Sequence, residues 1–326
     1  MNINGSKILV IGGAGFIGSF VVSELLKENV AAVVVYDNFT RGKIGNLTEQ
    51  LNDPRCTIFP DGGDIRDLDV LDAAIKGKDY VISLAAMWLL HCKDYPRTAF
   101  EVNITGTFNV LEACVKHNIK KLVWSSSASV YGDAVELPMT ESHPFTNKNF
   151  YGATKIAGEA MATAFNDRYS LPVIGLRYMN VYGPHQDQTA AYTGVIPIML
   201  NKIEANESPV INGDGSQAYD FIYVEDVARC NVLALKSEVN FGIYNVGTEV
   251  QTSIRELCNL ILELKSSLVK VTYKPYSADD ARALVQNRIG SRAKAEKELS
   301  FKYKFELKAG LQKLCEWRIA TGLDRR

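Results

Sequence analysis

The chain has 326 residues, 47% hydrophobic and 22% charged, with a formal net charge of -1; this suits a globular protein of two lobes and excludes the basic excess that a nucleic-acid surface needs. No apolar run reaches the roughly 18 residues that cross a bilayer, and the first strand begins too soon for a secretory leader. Six cysteines (Cys56, Cys92, Cys114, Cys230, Cys258 and Cys315) form no CxxC pair, so the expectation is reduced thiols, no zinc, and a cytoplasmic address.

Residues 7–38 organise everything that follows. Lys7 to Ile11 is an apolar run fit for a strand buried on both faces. Gly12, Gly15 and Gly18 follow at three-residue spacing, Phe16 to Leu26 reads as a helix, and Ala31 to Tyr36 is a second apolar run ending in Asp37. Glycines let the main chain approach a pyrophosphate, and the new helix turns free N–H groups and a positive dipole end toward it. Asp37 stands 19 residues beyond Gly18, the spacing of an acid that accepts both adenosine ribose hydroxyls. A 2′-phosphate would meet that carboxylate as a like charge, so NAD is favoured over NADP, with Arg41 nearby as the opposing feature. The polar loop 40–47, which carries Gly42, is expected to fold over the adenosine.

Cys56 to Phe59 is a third strand, and the following GGDIRD sets Asp64 where ligands bind in open α/β sheets. Asp64 reads equally as an adenine contact or as the N-cap of a helix from Asp67 to Ile75. Asp79 to Ala86 is strand four, ending in small residues against which a flat ring can lie; Trp88, His91 and Cys92 fall in the loop after it. Phe100 to His117 reads as one long helix containing Asn103. Lys121 to Ser127 is strand five and ends in three serines, polar residues at the ligand end of a buried strand. Tyr151 to Arg168 is the next helix, with Tyr151 and Lys155 on one face.

Strand six, Pro172 to Leu176, runs into Arg177 to Pro184, where the regular alternation stops and a second lobe begins. A helix from Val195 to Glu204 and short strands at 209–215 and 219–224 follow. A helix from Glu225 to Lys236 and a strand from Gly242 to Val246 return to the first lobe. A helix from Ser253 to Lys265, a strand from Leu268 to Lys274 and a helix from Leu307 to Arg318 complete the chain. The expected division is 1–177 with 219–248 as the dinucleotide-binding domain, and 178–218 with 249–326 as the second lobe. No two histidines have metal-ligand spacing.

Ser127, Tyr151 and Lys155 beside a nicotinamide make a mechanism. A phenol with reference pKa near 10 is a poor base at neutral pH, but an adjacent ammonium and a cationic ring both favour the phenolate. Tyr151 then takes a proton from a sugar hydroxyl as hydride leaves the same carbon.

The set GGAGFIGS, DN, GDIRD, LAA, SSSASVYG, YGATK, RYMNVYGP and GDGSQAYDFIYVEDV resembles the extended short-chain dehydrogenase/reductase family, and within it the UDP-glucose and UDP-N-acetylglucosamine 4-epimerases. The likeness runs from Lys7 to about Trp317. It implies an α/β fold, a Rossmann-type doubly wound parallel sheet with a smaller mixed α/β C-terminal substrate lobe. It implies NAD contacts from Gly12, Gly15, Phe16, Ile17, Asp37, Asn38, Gly42, Asp64, Ile65, Leu84, Ala85 and Ala86, completed by Asn103, Ser125, Tyr151, Lys155 and Tyr178. Ser127, Tyr151 and Lys155 are the implied catalytic set, and Ser127, Asn180, Val195, Tyr219 and Arg282 the implied substrate contacts. The implied activity oxidises carbon 4 of a UDP-sugar, turns the 4-keto sugar and returns the hydride, with NAD tightly bound and regenerated each turnover. A homodimer built on the helices at 100–117 and 151–168, and a setting in surface-polysaccharide synthesis, are also implied.

Three departures qualify the likeness. Ile11 replaces a usual threonine. Tyr219 stands where many relatives carry an arginine that reaches the diphosphate, leaving Arg282, Arg288 or Arg292 to supply the charge. Ala128 and Ser129 occupy the positions where the related dehydratases place an acid pair, which disfavours dehydration. A sugar dehydrogenase, a 3- or 5-epimerase and a non-catalytic NAD-binding regulator are the alternative readings, and the sugar itself is left open.

Overall fold

A computed structural model describes residues 2–187, 194–276 and 285–324. Its strands are β1 (Lys7–Ile11), β2 (Ala32–Tyr36), β3 (Cys56–Ile58), β4 (Tyr80–Ser83), β5 (Lys121–Ser127), β6 (Val173–Tyr178), β7 (Asn180–Tyr182), β8 (Val210–Asn212), β9 (Ala218–Tyr219), β10 (Phe221–Tyr223), β11 (Phe241–Val246), β12 (Thr252–Ser253), β13 (Thr272–Lys274) and β14 (Asn287–Arg288). The helices used below are α1 (Phe16–Leu26), α2 (Leu68–Ile75), α3 (Leu89–Asp94), α4 (Pro96–Phe100), α5 (Gly106–Lys116), α6 (Phe150–Tyr169), α7 (Val195–Glu204), α8 (Val224–Lys236) and α9 (Ile254–Leu264).

Seven parallel strands form the central sheet in the order β3-β2-β1-β4-β5-β6-β11. Ile8, Leu9, Val10 and Ile11 of β1 are wholly buried, each contributing roughly 1.5–3 kcal/mol of apolar burial. Their side chains alternate between the faces: Ile8 and Val10 join the core under α1 and α8, and Leu9 and Ile11 the core under α2, α5 and α6. Helices on both faces make this a doubly wound α/β fold. Strand order reverses between β1 and β4, which opens a crevice at their carboxyl ends.

The short strands group separately: β7 pairs with β10, β9 lies between β12 and β14, and β8 pairs with β13. With α7, α9 and the helix Leu307–Ala320 they enclose a third core that includes Leu200, Ile211, Leu257 and Leu311.

Several elements differ from the sequence expectation. The stretch after β4 is a helix, α3, with Trp88 as its N-cap residue and His91 and Cys92 within it. The long helix begins earlier, at Pro96, and passes through a π turn at Glu101–Thr105 that carries Asn103. Asp67, not Asp64, caps α2, accepting the Val70 N–H at 3.2 Å. The strand expected from Leu268 is only Thr272–Lys274, since Leu268 is 98% exposed and has no core to enter. Ala218–Tyr219 belongs to the small three-stranded sheet, while α8 and β11 lie on the large one. Among the described residues no helix is long and apolar enough to cross a membrane.

Candidate active site

The turn after β1 is shaped by what cannot fit there. Gly12 has φ +77°, and a Cβ on it would sit 2.9 Å from the Ala85 nitrogen; one on Gly18 would lie 2.0 Å from the Gly12 carbonyl oxygen. Any side chain at either position would push the turn away from β4 or α1 away from the turn. Helix α1 starts from Gly15, which supplies no side-chain cap, so its first N–H groups are left to an anion.

Two adjoining cavities, of about 530 and 260 Å³, meet at this turn and share Gly12, Gly15, Arg41, Leu84, Ala86 and Trp88. The smaller is lined by Asp37, Asn38, Gly42, Asp64, Ile65 and Ala85. Asp37 is 8% exposed and accepts the Ala14 N–H at 2.9 Å and the Phe39 N–H at 2.8 Å. Burial raises its pKa against the lowering effect of those two donors. A Cβ on Gly42 would come within 2.7 Å of its carboxylate, so that face stays open only because residue 42 is glycine. Asp64 forms a bidentate pair with Arg66, at 3.0 and 2.6 Å, which holds its pKa below the usual carboxylate range. Arg41 stacks on Trp88 at 4.4 Å and lies 3.6 Å from the Asp187 carboxylate. Among the described residues its carboxylate partner is Asp187, and no ion pair joins it to Asp37.

The larger cavity brings together Phe16, Ile17, Ser125, Tyr151, Lys155 and Tyr178. The Lys155 ammonium donates to the Ser125 carbonyl at 2.7 Å and lies 5.7 Å from the Tyr151 ring centroid and 4.9 Å from that of Trp124. Burial drives its pKa down to about 8, while the Cys92 and Glu159 side chains oppose the drop. Ser127 hydrogen-bonds the Tyr151 phenol and so lowers its pKa, but burial wins and pushes it up to about 12. Without a cationic ring beside it, burial therefore keeps the phenol from being acidic. A cationic ring in the adjoining space would act in the lowering direction. The close-approach turn, the uncapped helix, the buried acid at the end of β2 and the divided cavity all fit NAD.

Not every expected residue lines these cavities. Asn103 is buried behind the wall, its amide bonded to both main-chain polar groups of Met87 (2.7 and 2.9 Å) and to the Thr154 hydroxyl (3.1 Å). Asn180 donates to the Asp220 carbonyl at 3.1 Å, and the Tyr219 phenol donates to the Val285 carbonyl at 2.8 Å. Val195 begins α7 just after Gly194, which does line the larger cavity. Arg282 lies outside the described residues. Conversely, Lys43, Asn46, Gln186, Trp317 and Leu323 line the larger cavity without having been expected there. Trp317 lies on the apolar face of a helix, a pattern that by itself signals only a core. Among the described residues no cluster of His, Cys, Asp and Glu could hold a metal ion.

A family model described as the NAD dependent epimerase/dehydratase family matches residues 8–247. A Methanocaldococcus jannaschii protein with a provisional UDP-glucose 4-epimerase name is 36% identical over 316 residues, covering 95% of this chain and 97% of its own. The UDP-N-acetylglucosamine 4-epimerase of Methanobrevibacter ruminantium M1, solved with UDP-N-acetylmuramic acid, has a TM-score of 0.91 at 33% identity, over 98% of this chain and 99% of that one. The Thermotoga maritima UDP-glucose 4-epimerase, solved with UDP-glucose, has a TM-score of 0.88 at 32% identity, over 97% and 99% of the two chains. Similarity of that extent, on a crevice fitted to a dinucleotide, makes this chain a member of the NAD-dependent epimerase/dehydratase family.

Proposed function

We propose that the protein is an NAD-dependent 4-epimerase of a UDP-hexose or UDP-N-acetylhexosamine. The observation that carries this reading is that Tyr151 and Lys155 face the same 530 Å³ cavity as the glycine turn, with Ser127 hydrogen-bonded to the Tyr151 phenol and with Ala128 and Ser129, not an acid pair, following Ser127. When bound, NAD supplies the hydride acceptor and a positive charge beside the phenol. Tyr151 removes the proton from the sugar's 4-hydroxyl and returns it after the sugar has turned its other face. Ser127 holds the reacting oxygen, and Lys155 keeps a positive charge against the phenolate. Ala128 and Ser129 offer no acid for eliminating water, so the 4-keto sugar is reduced again and not dehydrated.

In this reading Asp37, Asn38, Gly42, Asp64 and Ile65 hold the adenosine half, and Leu84 to Ala86 back the flat ring. Residues 178–218 and 249–326 form the nucleotide-sugar lobe, with Asn180, Val195, Tyr219 and Arg282 toward the UDP. A second copy covers α5 and α6, where Phe108 is 42% and Tyr169 54% exposed and both pack on Phe165 with centroids 5.4 Å apart. We assign the enzyme to the cytoplasm and to surface-polysaccharide precursor supply. The test is a panel of UDP-sugars with product stereochemistry read by NMR and absorbance followed at 340 nm. Inversion at carbon 4 without accumulating absorbance is expected; steady absorbance gain marks a dehydrogenase and overturns the proposal.

A further inference from the structure

The Lys155 ammonium sits over the indole of Trp124, 4.9 Å from the ring centroid. Trp124 lies on β5, is 3% exposed and belongs to the core under α2, α5 and α6. Apolar packing does not ask for this pair: a buried ring gains by touching hydrocarbon, while an ammonium taken out of water needs a group that favours its charge. The indole face is such a group through its negative quadrupole, and the attraction grows where water is excluded. That attraction holds at any pH, since a quadrupole does not titrate.

Helix α6 is shaped to admit the ring. Gly158 follows Lys155 by three residues and so shares its face. A Cβ on Gly158 would lie 2.4 Å from Cη2 and Cζ2 of Trp124. Glycine inside a helix is unfavourable, and here it leaves the space that the indole fills beside the ammonium. Ser125, next along β5, accepts from the same ammonium through its carbonyl at 2.7 Å. Two consecutive strand residues thus hold Lys155, one by its main chain and one by its ring. The titratable groups around the ammonium are Tyr151, with its ring centroid at 5.7 Å, Glu159 on α6, Cys92 on α3 and Tyr178 on β6. Glu159 shares its charge with Arg177, burial keeps the Cys92 thiol neutral, and the Tyr178 phenol donates to Asn231 at 2.9 Å.

We propose that Trp124 is a positioning residue for the reaction, its ring face keeping the Lys155 side chain charged and held beside the Tyr151 phenol. This rests on the reading of Lys155 as the cation that supports the phenolate. The ring acts only through Lys155, and Gly158 is the position on α6 that makes room for it.

The experiment places mono-, di- and trifluorotryptophan at position 124 of the NAD-loaded enzyme by nonsense suppression. Fluorine withdraws electron density from the ring face and leaves its shape nearly intact. Two readouts are followed: the pH profile of kcat with a UDP-sugar that the stereochemical panel shows to be turned over, and the titration of the carbon-13 resonance of Lys155 Cε, assigned by its loss in Lys155→Met. Both midpoints are expected to fall stepwise, by about one pH unit across the series, while KM and the melting temperature hold. Trp124→Phe is expected to move both less than Trp124→Leu, since phenylalanine keeps a π face and leucine has none. A Lys155 midpoint that stays fixed across the fluorinated series overturns the proposal, as does a fall in kcat of equal size at every pH. If the resonance shifts and the kcat profile does not, the contact between ring and ammonium stands and the catalytic reading of Lys155 fails.

Discussion

Lys155 is pulled in two directions: burial takes its pKa down to about 8, and the Glu159 carboxylate opposes the drop. Below that value the ammonium is charged and supports the phenolate; above it the charge is lost. The sign therefore makes kcat fall as pH rises through about 8, and a profile of kcat across the neutral to alkaline range checks it. In the proposed mechanism Tyr151 is the proton carrier, and burial pushes its phenol up to about 12. Tyr151→Phe is expected to lower kcat by about 10²–10⁴-fold while leaving NAD binding in place, measured by turnover against coenzyme content. These residues were legible in the sequence because a four-residue spacing on a helix and a polar strand end are local signals. The partners of Asn103 were not legible for the opposite reason: Met87 and Thr154 come from distant segments that only the fold brings together.

At the scale of elements, β5 and α6 are joined turn by turn. Ser127 bonds Tyr151, the Ser125 carbonyl receives Lys155 at 2.7 Å, and the Ser126 hydroxyl donates to Glu159 at 2.5 Å. Glu159 is held in turn by a bidentate pair with Arg177 of β6, at 2.8 and 2.7 Å and nearly sealed from solvent. Glu159→Gln leaves that guanidinium buried and unmatched, which costs about 3–5 kcal/mol; denaturant unfolding measures it. It also removes a group that supports the charged form of Lys155, so the alkaline fall in kcat moves to lower pH. A purely structural effect would lower stability without moving that limb. The strand–turn–helix units were readable from apolar runs and glycines. The helix α3 was not, because Leu89 to Asp94 is short and half polar. The pair β9–β14 was not, because a two-residue strand exists only by virtue of its distant neighbour.

Across the whole molecule, the crevice at the β1–β4 reversal is walled by segments far apart in the chain, from the turn at Gly12 to Trp317. Removing NAD is therefore expected to loosen the entire protein and not one loop. Restoring it at about 100 times its Kd adds roughly 2.7 kcal/mol, seen as a rise of several degrees in the melting temperature by scanning calorimetry. An unchanged melting temperature would contradict the placement of the coenzyme.

The seventh strand of the central sheet, β11, is made only after the chain has passed through β7–β10. While the nascent polypeptide emerges from the ribosome, β6 waits with one edge of its backbone unsatisfied until residue 246 is free. A fragment halted at residue 177 would keep that edge permanently bare, an invitation to join another unfinished chain. This architecture must be synthesised well beyond its midpoint before its first half is safe.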